Sequence, residues 1–126
     1  MQWLLTGTGL ILALAIIMIG VSYIASSMTT VRSFGLPVPA DNSIIASWLR
    51  LKGVRDVVAG LLVLAFMVWG NSQEVGLVLL VEALIPTGDM LVILTGKGSI
   101  KHALGIHGVT AMVMVIVAIP MVMGAY

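Results

Sequence analysis

Seven side chains in this sequence have the types and spacing for acid–base or binding chemistry. They fall in three stretches: Lys52, Arg55 and Asp56; Glu82 and Asp89; His102 and His107. Tyr23 lies upstream of all three. On a helix turning about 100° per residue, Glu82, Pro86 and Asp89 follow i, i+4, i+7 and share one stripe. Lys52, Arg55 and Asp56 fall within an arc of about 100°, whereas His102 and His107 are about 140° apart. A carboxylic acid, Glu82 or Asp89, could donate a proton, and His107 could act as base or orient a partner. These three are the candidate catalytic residues. Lys52 and Arg55 could stabilise developing negative charge or grip an anionic head group. With Asp56, Tyr23 and His102 they form the candidate ligand-binding set.

Each assignment competes with a structural one. Lys52 and Asp56 are i, i+4 and can pair with each other, leaving Arg55 to bridge to Glu82 or Asp89. Such pairs could simply hold helices together, although burying an ion-pair network costs stability that apolar packing would not. Lys52 and Arg55 supply two positive charges against three negative ones from Asp56, Glu82 and Asp89. One negative charge is therefore left over unless a histidine is protonated or one carboxyl is neutral, and desolvation favours the neutral carboxyl. His102 fits an interfacial role. No His-Glu-x-x-His or Glu-x-x-His spacing occurs, so neither a metal nor another cofactor is expected. The nine Met residues fit apolar packing better than haem ligation. No phosphate loop, dinucleotide fingerprint or Ser/His/Asp order is present.

Pro86 adds a backbone feature. A proline ring clashes with the carbonyl four residues earlier, here that of Glu82. The helix is expected to break there, freeing a carbonyl beside a carboxylate. Inside a membrane such a break is tolerated where it is buried in protein or lines a cavity.

The elements that position these residues follow from composition. The chain has 126 residues, of which 60% are hydrophobic and 9% charged, with a mean hydropathy of +1.20. A soluble domain carries roughly 25% charged residues, and a disordered chain is polar; both classes are excluded. A net charge of +1 without a basic run gives no footprint for nucleic acid. The absence of cysteine excludes thiol redox chemistry and iron–sulfur clusters. The remaining class is an all-α integral membrane protein.

A span needs about 20 apolar residues, and four segments qualify: about 3–25, 43–69, 72–94 and 100–125. They form a single domain, 1–126, a four-transmembrane-helix bundle without a soluble part. Segment 26–42, with Gly35, Pro37 and Pro39, breaks helix. Asp41, Asn42 and Ser43 offer an N-cap to the second helix, and Asn71-Ser72 one to the third. Gly96 to Ser99 separates the third from the fourth. The first segment lacks a basic leader region and is read as a retained span. Gly9 and Ala13 form a small-xxx-small pair suited to close helix approach; Gly105 and Gly108 beside His107 do not make that motif but are small residues that also allow it.

Arg32, Arg50, Lys52, Arg55, Lys97 and Lys101 all fall toward one side of such a bundle. The positive-inside rule makes that side cytoplasmic and places both termini outside the cell membrane. Arg50 points away from the polar set, toward lipid head groups. Trp3, Trp69 and Tyr126 mark one interface, Tyr23 and Trp48 the other. The three polar stretches then meet in the cytoplasmic half of the bundle.

The stretches Lys52 to Asp56, Glu82 to Asp89 and His102 to Gly108 together resemble a family of small four-helix membrane proteins of undescribed function, found in bacteria and fungi. The overall shape is also similar to the wider DoxX-type four-helix proteins. The first resemblance implies a fold and these polar positions but no reaction.

The leading expectation is therefore a membrane protein whose cytoplasm-facing polar pocket binds a small or lipophilic molecule, with acid–base chemistry of isomerase, cyclase or hydrolase type. The alternatives are a proton-coupled small-molecule transporter and an accessory membrane subunit whose ion pairs are structural. Small four-helix exporters carry their key acid on the first helix, which is uncharged here. The partners expected are the lipid bilayer and the ligand, and the small outside surface is compatible with a homo-oligomer.

Overall fold

The structure is a computed structural model that describes residues 1–40 and 43–125. The described residues form helices joined by short loops, and no strand occurs among them. Four helical segments follow one another: α1 (Gln2–Thr30) with a 3-10 turn (Val31–Ser33), α2 (Ser43–Trp69), α3 and α4 (Ser72–Glu82, Leu84–Thr95), and a last rod. That rod joins α5 (Ile100–His102), a π-helical stretch (Ala103–Gly108) and α6 (Val109–Met123). Gln2–Ser33, Ser72–Thr95 and Ile100–Met123 are each long and apolar enough to cross a membrane. Large apolar side chains such as Leu14, Val58, Leu84 and Met112 point outward along the helices, as expected where lipid is the solvent.

Backbone proximity sets the packing. A Cβ built on Gly20 would lie 2.6 Å from the Gly53 carbonyl oxygen, and one on Gly60 would lie 2.6 Å from that of Ala13. α1 and α2 therefore meet with almost no side chain between them, as small residues permit in membrane bundles. Gly76 plays the same part between α3 and α6, facing Met121 and the Ala118 carbonyl. The core, around Ala13, Val63, Leu79, Met114 and Ala118, lies where these two pairs meet. Gly9 instead faces the side chains of Met67 and Leu79.

Three interruptions mark the helices, the second of them expected from the sequence. α1 continues past residue 25, through non-helical dihedrals at Ser26 (φ −143°, ψ 56°), to Thr30. The Thr30 hydroxyl donates to the Ser22 carbonyl at 3.0 Å across this break, and an adjacent serine pair is a common place for a kink. The third segment breaks at Ala83, the expected consequence of Pro86. The last segment is interrupted by the π-helical stretch around His107.

Caps fix the connections. Asn71 accepts from the Glu74 amide at 3.0 Å while the Asn71 amide donates to the Glu74 carboxylate at 2.8 Å, a reciprocal capping box. Ser99 accepts from the His102 amide and opens α5. Gly35, at φ +110°, turns the chain after α1 and accepts from the Ser99 amide at 2.7 Å, tying the two loops together. Asp41 and Asn42, expected in a cap, and Tyr126, expected at an interface, lie outside the described residues.

Candidate functional site

The kink in α1, the break before α4 and the π-helical stretch surround a single cavity of about 570 Å³. Its inner wall is Leu12, Ala13, Val63, Leu79 and Met114, and its polar lining is Ser22, Tyr23, Lys52, Glu82, Asp89 and His107. Thr30, Ser33 and Phe34, carried over it by the Ser26 kink, close one end. Ile19, Ile85 and Ile106 line the cavity and are also exposed on the outer surface. These three side chains give the cavity an apolar rim.

Each polar group has a distinct environment. Lys52 Nζ bonds to Asp56 Oδ2 at 2.6 Å, with Asp56 buried. The same ammonium lies 4.7 Å from the Tyr23 ring centroid and 5.4 Å from that of Phe34, both within cation–π range. His107 Nε2 donates to the Phe34 carbonyl at 3.2 Å, and the two rings meet edge to face at 4.8 Å. His107 Nδ1 lies 3.5 Å from Asp89 Oδ2.

A proton shared between His107 and Asp89 would suit that arrangement. A carbonyl can only accept, so Nε2 carries hydrogen. A neutral imidazole then presents the Nδ1 lone pair to the carboxyl group. Lone pair against carboxylate is repulsive, so a favourable contact would take imidazolium with carboxylate or imidazole with carboxylic acid. In both forms it can release or accept one proton.

Glu82 differs from the other acids. Its Oε1 is buried, and no described residue donates to it. It sits at the last residue of α3, immediately before the Ala83 break, and faces the cavity. Pro86 has no amide, so the Glu82 carbonyl also lacks its usual helical donor.

The cavity brings together Tyr23, Lys52, Glu82, Asp89 and His107, with Asp56 behind Lys52. Two members of the expected set lie elsewhere. Arg55 is exposed and makes no ion pair among the described residues, so the expected bridge to Glu82 or Asp89 is absent. The reason is geometric: Asp56 turns inward with Gly53 and Gly60, and the neighbouring Arg55 is carried outside. His102 does not line the cavity; its ring nitrogen pairs with Ser99 and its Cβ packs beneath Gly35. Among the described residues the ionic contact between helices is Asp89–His107, and the Lys52–Asp56 pair stays within α2.

Phe34, Ser22 and Thr30 escaped the sequence reading. Their signal was the Ser26-Ser27 pair, which turns the end of α1 inward. The π-helical stretch had no comparable signal beyond the glycines flanking His107.

Residues 13–121 match the domain of unknown function DUF4267. The chain belongs to the DUF4267 family. The matched region holds every residue of the cavity except Leu12. No curated protein and no solved structure matches the chain.

Proposed function

We propose that this DUF4267 chain is a four-span protein of the cell membrane whose cavity binds a small lipophilic molecule and performs acid–base chemistry on it. α2 is read as the fourth span: at 27 residues it is about 40 Å long, enough to cross a bilayer. Arg32, Arg50, Arg55, Lys97 and Lys101 are all exposed and fall toward one side of that arrangement, which supports a cytoplasmic placement of the cavity's polar end and both termini outside.

The observation that carries the reading is Glu82, which lines a mostly apolar cavity and whose buried Oε1 has no donor among the described residues. A buried carboxyl oxygen without a donor is costly, and a ligand donor would relieve that cost. The volume suits a drug-sized molecule, and the rim of Ile19, Ile85 and Ile106 suits entry from lipid. Inside, Asp89 and His107 form the proton-holding pair and Glu82 is the group that meets the ligand. A proton passing between pair and ligand is the step that isomerase, cyclase or hydrolase chemistry requires.

Native mass spectrometry of the protein released from mild detergent, beside the Asp89→Asn variant, tests this. A co-purifying small molecule whose occupancy falls in the variant is expected. An empty protein in both, with unchanged oligomeric state, would contradict the reading.

A further inference from the structure

Taking the cavity as a ligand site, we propose that it selects a lipophilic amine, whose ammonium group pairs with Glu82 while its apolar body lies between Ile16, Ile19 and Ile85.

Charge pairing carries the argument. Lys52 is the cavity's only lysine or arginine among the described lining residues. It is already committed at 2.6 Å to Asp56, which is buried and would be stranded if Lys52 turned away. Removing one partner of a buried pair is strongly unfavourable, so Lys52 is not free to hold an anionic head group. Arg55, the other cation that could have served an anion, faces outward. His107 Nδ1 and Asp89 Oδ2 already face each other at 3.5 Å. Glu82 remains, with Oε1 lacking a donor. The group that completes the cavity is thus a hydrogen-bond donor, and a cationic donor would supply the missing bond while holding the Glu82 carboxyl in its charged form.

The surroundings fit the rest of the molecule. The helix faces flanking Glu82 are apolar, and the rim isoleucines are exposed toward the lipid side. An amine on a hydrocarbon chain enters from the bilayer and loses little hydration from its body. A fatty acid of equal length would bring a second carboxylate against Glu82 without a free cation to offset it.

The test compares three probes of one chain length: dodecylamine, dodecanol and dodecanoate. Each is added to the purified full chain in a neutral detergent, and bound adducts are counted by native mass spectrometry. The amine is expected to exceed both others by more than about tenfold, the scale of one desolvated charge pair. Glu82→Gln is expected to abolish that preference. The wild-type comparison needs no variant, so a poorly folding Glu82→Gln leaves the head-group ranking decisive. Equal binding of all three, or a preference for dodecanoate, overturns the amine assignment while leaving the cavity as a ligand site. A preference for the amine that survives in a folded Glu82→Gln protein also overturns it. Binding of none of the three, together with an empty protein as purified, overturns both this inference and the function proposed above.

Discussion

His107 Nε2 donates across 3.2 Å to the backbone carbonyl of Phe34, a residue 73 positions earlier in the chain. This bond ties the π-helical stretch to the segment that closes the cavity, and it sets which histidine nitrogen faces Asp89. His107 thereby links the Phe34 segment that lines the cavity to Asp89.

Removing the ring should release the lid. His107→Ala is expected to lower hydrogen-exchange protection across residues 31–36 by about 1 kcal/mol, the worth of a single hydrogen bond, with the rest of α1 unchanged. Uniform loss of protection throughout the protein would instead show that His107 supports the whole bundle.

The close approach of α1 and α2 gives a second expectation. A side chain on Gly20 would meet the Gly53 carbonyl and Val57 backbone, which cannot swing aside. Gly20→Val should cost about 1–3 kcal/mol through overpacking, read as a lower thermal midpoint in detergent. Gly7→Ala, where nothing lies near the added carbon, should be near neutral.

Lys52 and Arg55 should separate cleanly. Lys52→Met strands the Asp56 carboxylate and should destabilise the protein by about 1–3 kcal/mol, while Lys52→Met with Asp56→Leu should recover most of that loss. Arg55→Gln should change neither stability nor ligand occupancy, because the side chain is exposed and unpaired among the described residues. A large effect of Arg55→Gln on occupancy would place that residue in the site after all.

Much of this organisation was legible in residue types and spacing. Glu82, Pro86 and Asp89 share a stripe because their spacing matches the helical turn, and the proline break appears at Ala83, within one turn of where its missing amide requires it. The convergence of Lys52, Asp89 and His107 followed from counting apolar segments and their direction. Arg55 did not follow, because an arc of about 100° cannot say which edge faces inward. Gly53 and Gly60 decide that, by letting α1 approach so closely that Asp56 is buried and Arg55 is turned out. The inward turn after Ser26 was equally hidden, since its stabilising bond from Thr30 to Ser22 spans the break rather than a regular turn.

The proposed topology gives a further expectation, made clean by the absence of cysteine. In intact cells, Asn71→Cys should react with a membrane-impermeant maleimide, while Lys97→Cys should react only after the cells are opened. The reverse pattern would invert the protein, and labelling of both from outside would remove the span between them.

The measurement that tests the central claim most directly is the reactivity of a thiol placed inside the cavity. Ala59 lines it and is half-buried, whereas the adjacent Val58 is exposed on the outer face. N-ethylmaleimide reacts with the thiolate, which needs a polar or hydrated setting. Ala59→Cys should therefore react more than about tenfold faster than Val58→Cys in a bilayer, and bound ligand should slow it. Equal rates, or an Ala59→Cys thiol that does not react at all, would contradict an accessible, hydrated cavity among these helices.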